Sequence, residues 1–276
     1  MGLYVTSNVA ALNAYRNLNM TQAAQNSSLE KLSSGYRLNR AADDAAGLAI
    51  SQGLQAQIGG LTVAVQNAQD AIGVVQTGDG ALTETQSILQ RMRNLAVQAA
   101  SGGSQDVNAQ AASQTEFAQL QSEVDRIANT TAYAGQKLLD GSYTGTFQVG
   151  ANNTANDQIT IDLTGTPMTS AGLAIDAANV STTSGAQAAI DTIDAAITTV
   201  STTRATLGAY QNRFQHTVNN LNVEVENLTA GNARIQDTDM ASEMVKFTSA
   251  QILSQAGTAM LAQANQQPQS ILKLLQ

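Results

Sequence analysis

Cysteine and tryptophan are absent from this 276-residue chain, histidine occurs once and proline twice. Without cysteine there is no disulfide framework, no thiolate nucleophile and no cysteine-bearing zinc site. His216 as the sole histidine leaves no histidine cluster for metal or acid–base chemistry. Aromatic residues make up 4% of the chain and charged residues 12%, against an apolar share of 43%. Much of that apolar share must be alanine, which suits thin, closely packed helices better than a thick core. The composition therefore predicts an elongated, mainly α molecule with neither cofactor nor metal, and not an enzyme.

Positive charge is also scarce. The net charge of −8 and the lack of a basic stripe predict no nucleic-acid partner, since phosphate binding needs clustered lysine and arginine. The first fifteen residues carry no positive segment ahead of an apolar run, so no cleaved signal peptide is expected, and secretion would use another route. Met1 to Leu29 holds a single charge, Arg16, and Phe247 to Leu272 holds none. Both stretches are studded with Gln, Asn, Ser and Thr and fall short of the roughly 20 apolar residues of a membrane span, so no membrane insertion is expected. Uncharged amphipathic helices are easily buried against other helices, because no ion has to be desolvated.

What the chain does have is heptad patterning. Leu54, Ile58, Leu61, Val65, Ala68, Ile72 and Val75 alternate at spacings of 3 and 4, and Leu82, Leu89 and Ala96 continue one row. The seam runs through Gly78-Asp79-Gly80, where the glycines predict a local bend. A second seam runs through Ile190, Ile193, Ile197, Val200, Arg204, Leu207, Gln211, Phe214, Val218, Leu221, Val225 and Leu228, with Arg204 and Gln211 as polar insertions that fix register. Phe117, Leu120, Val124 and Ile127 mark a shorter helix folding back after Gly102-Gly103. A first helix over residues 44–99 would be roughly 80 Å long at 1.5 Å per residue.

Residues 141–181 change character, with glycine and asparagine punctuating two alternating runs, Thr146 to Val149 and Gln158 to Leu163. These predict a β-hairpin region at the tip of an elongated antiparallel helical bundle or coiled-coil rod. The two ends of the chain, with Val9, Leu12, Leu29 and Leu32 on one side and Met240, Met244, Ile252, Leu253 and Met260 on the other, predict paired terminal helices. Isolated helices are marginal in water, so these should order when neighbours supply the missing faces.

Longer motifs carry a resemblance. The run from Leu29-Glu30-Lys31-Leu32-Ser33-Ser34-Gly35-Tyr36-Arg37-Leu38-Asn39-Arg40 through Ala41-Ala42-Asp43-Asp44-Ala45-Ala46-Gly47-Leu48-Ala49-Ile50 resembles the N-terminal signature of bacterial flagellins. Ile235-Gln236-Asp237-Thr238-Asp239-Met240-Ala241-Ser242-Glu243, with Gln251 to Ala256 and Ala262 to Gln269, resembles the C-terminal one. Gln90 to Gln98 and Gln136 to Gly141 resemble two further flagellin segments, with Tyr133-Ala134 standing where many members have Phe-Asn.

The resemblance implies a secreted subunit that polymerises with itself into the extracellular flagellar filament for swimming motility. It divides the chain into a filament-core helix and linker at 1–43, rod helices at 44–140, the hairpin region at 141–181, a C-terminal rod helix at 182–234 and a second filament-core helix at 235–276. Only a short segment separates the rod helices, so no large outer domain is expected. The implied polymerisation interface includes Leu12, Leu29, Leu32, Arg37, Arg40, Asp43, Asp44, Ile252, Leu253, Met260 and Leu272. The implied partners are the flagellar export apparatus and chaperone, hook-associated and cap proteins, and a flagellin-sensing Toll-like receptor whose contacts in related proteins match Arg91, Leu95 and Glu116. The zinc protease inserted in some flagellins needs two histidines at i and i+4, which this sequence cannot supply. A hook–filament junction protein and a non-flagellar coiled-coil tether are the alternatives. Asp43-Asp44 and Asp237-Thr238-Asp239, though paired carboxylates, sit where helix caps are expected.

Overall fold

The computed structural model describes residues 8–102 and 106–274, with side chains as far as Gln266. Five helices carry the chain: α1 (Val9–Ser34), α2 (Ala45–Ala100), α3 (Val107–Thr130), α4 (Thr183–Gln236) and α5 (Met240–Leu274). Between α3 and α4 lie β1 (Ala132–Tyr133), β2 (Gln136–Lys137), β3 (Thr144–Gln148) and β4 (Gln158–Asp162). Two compact units result, one of Met1–Ala56 with Asn227–Gln276 and one of Gln57–Glu226, and both α2 and α4 contribute to each.

In the second unit α2 and α4 pair antiparallel. Asp79 meets Arg204 and Arg93 meets Asp194, so residues advance along one helix as they retreat along the other. Along α2 the buried Leu61, Ala64, Ala68, Ala71, Val75, Gly78, Leu82, Thr85, Leu89, Met92, Ala96 and Ala99 form an unbroken 3–4 alternation, with Ser51, Val74 and Leu95 buried outside it. From Leu61 onward one row of the predicted seam is therefore as read from the sequence, whereas Leu54 and Ile58 before it are only half-buried. The other is displaced by one residue: Val65 and Ile72 are only half-buried, and Ala64 and Ala71 take the seam. The same happens on α4, where Ala189, Ala196 and Thr203 are buried and Ile190, Ile197 and Arg204 flank them. Small side chains let two backbones approach closely, and the β-branched residues then seal the edges against the core. No bend is needed at Gly78: it is buried within the continuous α2, and an added Cβ would lie 3.4 Å from Leu207.

Arg204 donates to Asp79 Oδ1 at 2.8 Å and to Gln86 Oε1 at 2.6 Å. These bonds hold α4 against one particular turn of α2, which is how a polar insertion specifies register. Helix α3 completes the bundle through Ser113, Phe117, Val124 and Ala128, with Leu120 and Ile127 half-buried beside them. Asp106 caps its start by accepting from the Ala109 amide at 2.7 Å. Gly103 lies outside the described residues.

Strands β1 and β2 form a two-residue hairpin whose turn residues, Ala134 and Gly135, have φ of 49° and 82°. Two positive φ values are what a type I′ turn requires. Strands β3 and β4 pair antiparallel from Thr144↔Asp162 to Gln148↔Gln158, matching the predicted hairpin. This hairpin lies on the flank of the helices: Phe147 meets Phe214 edge-on at 5.8 Å, and Asn67 donates to the Gln148 carbonyl at 3.0 Å. Ile159 and Ile161 face inward. The hairpin is thus packed against a side face of α2 and α4, near the middle of both helices and not at the expected tip, because both Phe147 and the isoleucines need apolar cover. The segment after β4 is tied to α3, with Asp125 accepting from the Ser170 amide and hydroxyl at 2.7 Å each. Residues 131–182 hold these hairpins and turns and no separate outer domain.

Candidate assembly surface

The first unit is built on α1 and α5, which pair antiparallel. Asn8 Nδ2 donates to the Ala264 carbonyl at 2.8 Å, and an added Cβ on Gly257 would lie 3.2 Å from Leu18. Ser28 donates to Glu243 Oε1 at 2.6 Å. Glu243, only 5% exposed, also accepts from Lys246 at 2.9 Å. The Ser28 hydroxyl first, then Lys246, hold its carboxyl below the ordinary glutamate value, against the opposing effect of burial. Asn8 caps α1 by accepting from the Ala11 amide at 3.0 Å, and Gly35, at φ 75°, ends it in the left-handed conformation that glycine favours.

The two linkers are stitched together. Tyr36 and Asp237 form an isolated antiparallel bridge, the Arg37 amide donates to the Gln236 carbonyl at 2.6 Å, and the Thr238 amide to the Gly35 carbonyl at 3.0 Å. The Arg37 guanidinium donates to the Ile235 carbonyl at 2.7 Å, a cation placed on the free carbonyls that close α4. Arg40 pairs with Glu30 at 2.8 Å. Asp43 accepts from the Arg40 and Asn39 amides, and those bonds hold its carboxyl low. Asp44 accepts from the Gly47 amide at 3.0 Å and Asp239 from the Ala241 amide at 3.0 Å, so both begin helices as caps. Ser51, almost wholly buried, donates to Asn232 Oδ1 at 2.7 Å, with Gln236 Oε1 3.0 Å away.

Apart from Leu38 and Ala250, the large and small apolar side chains described in this unit are left uncovered or only partly covered. Leu12, Leu29, Ile252, Leu253 and Met260 are each more than half exposed, as are Val9, Tyr15, Met20 and Val245, while Leu32 is half-buried. Leu272 lies outside the residues whose side chains are described. In α1 the only buried residue is Ser28. Arg37, Arg40, Asp43 and Asp44 are exposed too, so the candidate residues form apolar helix faces beside a charged linker. In the second unit Arg91 and Glu116 form an exposed ion pair at 2.6 Å, whereas Leu95, read from the motif with them, is 3% exposed and belongs to the core. His216 is exposed on the flank of α4. Among the described residues no helix is long and apolar enough to cross a membrane.

The Ser28–Glu243 pair was not legible in the sequence, because nothing in a single chain relates two polar residues 215 positions apart. Val245 was missed as well, although its place one residue after Met244 on an uncharged face was a usable signal.

Two sequence profiles fit this arrangement: the bacterial flagellin N-terminal helical region matches residues 5–144, and the C-terminal helical region matches residues 190–275. The chain belongs to the bacterial flagellin family. It is 48% identical to a flagellin of Halalkalibacterium halodurans over 99% of this chain and 100% of that one, and 46% identical to a flagellin of Bacillus subtilis over 98% and 99%. Among solved structures it is similar to Bacillus cereus flagellin, with a TM-score of 0.50 and 31% identity over 56% of this chain and 88% of that one. These end-to-end matches set aside the junction-protein and tether readings. This flagellin is accordingly a filament subunit of the bacterial flagellum, a structural and non-enzymatic component of an extracellular motility organelle, and its family polymerises with itself.

Proposed function

We propose that this flagellin assembles by burying the exposed apolar faces of α1 and α5 against neighbouring subunits. The faces comprise Leu12, Leu29, Leu32, Ile252, Leu253 and Met260, and the linker groups Arg37, Arg40, Asp43 and Asp44 set the angle and charge of the contact. The observation that carries this reading is the exposure of large apolar side chains along two paired helices whose stretches up to Leu29 and from Phe247 to Leu272 hold a single charge, Arg16. Each such side chain gains roughly 1.5–3 kcal/mol when fully buried. Two subunits' worth of faces therefore offset the entropy of ordering the helices, and assembly supplies the energy that folding alone does not.

The test is Leu12→Glu and Ile252→Glu, each placing a charge on one face. Both variants should keep the core of the second unit, read by circular dichroism, and fail to elongate seeds in light scattering and electron microscopy. Normal filament growth from both would overturn the reading. On family grounds the further partners are the export apparatus and its chaperone, which handle the monomer, and the hook-associated and cap proteins at the filament's ends.

A second reading, recognition by a flagellin-sensing Toll-like receptor, is favoured by the Arg91–Glu116 pair, which sits in solvent across α2 and α3. Leu95 would support that surface from below. Purified monomer should activate a receptor reporter cell, and Arg91→Glu should weaken the response about tenfold or more. Silence of the unaltered monomer at saturating concentration would refute it.

A further inference from the structure

The chain has seven methionines. Six lie among the described residues, and they divide sharply. Met20, Met240, Met244 and Met260 are 63%, 47%, 50% and 64% exposed, whereas Met92 and Met168 are 0% and 1%. All four exposed ones belong to α1 and α5, and both buried ones to the core of the second unit. Met20 lines a shallow apolar depression with Ala24, Val245, Ala250 and Leu253, and Met244 lines another with Val245, Ile252 and Leu253.

We propose that Met20, Met240, Met244 and Met260 are a peroxide-sensitive modification set that controls entry of monomers into the filament. The inference rests on the assembly reading above. A methionine thioether attacks one oxygen of hydrogen peroxide, the O–O bond breaks, the sulfur is oxidised to the sulfoxide, and the other oxygen, reduced, leaves as water. Accessibility governs which sulfurs react, so the free monomer offers these four and shields Met92 and Met168. A flexible, polarisable side chain that adapts to an apolar neighbour becomes a polar, chiral one with a strong hydrogen-bond acceptor. Burying that acceptor unpaired against the next subunit opposes joining, whereas in solution it costs nothing. The same sulfurs are covered once a subunit is incorporated, so the monomer is the vulnerable form. Sulfoxide reduction reverses the change.

The experiment treats monomer and preformed filament with hydrogen peroxide, maps sulfoxides by peptide mass spectrometry, and measures seeded growth. The four terminal-helix methionines should be oxidised well before Met92 and Met168, and the critical concentration should rise about tenfold or more. Methionine sulfoxide reductase should restore growth. A variant with Met20→Leu, Met240→Leu, Met244→Leu and Met260→Leu, compared with its own untreated growth, should lose less than about twofold to peroxide. If that variant does not fold or grow, reductase rescue of the unaltered chain decides the matter. Oxidation spread evenly over all six sulfurs, or undiminished growth of fully oxidised monomer, overturns the inference. Should the filament's four methionines be protected while oxidised monomer grows normally, the inference fails and the assembly reading stands. Should they be oxidised as fast in filament as in monomer, the assembly reading fails with it.

Discussion

Single residues decide how tightly the turns of this flagellin close. Ala134 is held at φ 49° as the first central residue of the β1–β2 hairpin, a conformation in which an L side chain's Cβ crowds the backbone. Asparagine enters that region far more readily, and Asn-Gly is the preferred pair for a two-residue turn of this type. Ala134→Asn should therefore stabilise the second unit by about 0.5–1 kcal/mol, seen as a higher urea midpoint with an unchanged slope. A lower midpoint would mean that Ala134 packs in a way its φ does not reveal. Here the sequence did give a signal, since Tyr133-Ala134 departs from the Phe-Asn that the resemblance leads one to expect.

At the scale of elements, the pairing of α2 with α4 is governed by small residues and not by the bulkiest ones. The heptad period was readable from Leu61, Leu82, Leu89, Val200, Leu207 and Phe214, all of which are buried. The second row was not, because a hydrophobicity pattern favours Ile190 and Ile197 over Ala189 and Ala196, which differ from them only by one position. Helix separation breaks the tie: in this row alanines on both helices let the backbones come close, while Ile193 is buried in the other row. Ala196→Leu, at a site 1% exposed, should destabilise by about 1–3 kcal/mol through overpacking. Ile197→Leu, a half-buried flank substitution that conserves volume, should cost less than about 1.5 kcal/mol. Urea denaturation of the two full-length variants compares them, and equal costs would sink the account.

For the whole molecule, each of the two units is stabilised internally by different physics. The second has a continuous apolar core from Ala68 to Val218, whereas the first depends on caps, a linker bridge and the Ser28–Glu243–Lys246 cluster. Glu243 faces Lys246 on its own helix and Lys31 on α1, and its pKa is depressed in the folded chain. A depressed carboxyl stabilises fully above the ordinary glutamate value of 4.5 and loses that contribution as pH falls through its lowered value. Acidification should thus loosen α1 and α5 before the second unit melts. Amide exchange across α1 and α5 should quicken over that range, and Glu243→Gln should flatten the dependence. Identical pH profiles for the variant and the unaltered chain would remove Glu243 from the explanation.

Sequence alone determined the class of the molecule: helices set by heptad period, a hairpin set by alternation between turn residues, caps at Asp44 and Asp239, and family membership set by motifs at both ends. These are local signals, fixed by spacing and by side-chain chemistry along one chain. Tertiary structure decided the rest. It chose Ala64, Ala71, Ala189 and Ala196 for the seam, laid the β3–β4 hairpin against Phe214, joined Ser28 to Glu243, withdrew Leu95 from the surface, and left Leu12 and Ile252 uncovered. Each of those outcomes depends on the distance between segments remote in the chain, which is set by how closely small side chains let two backbones approach.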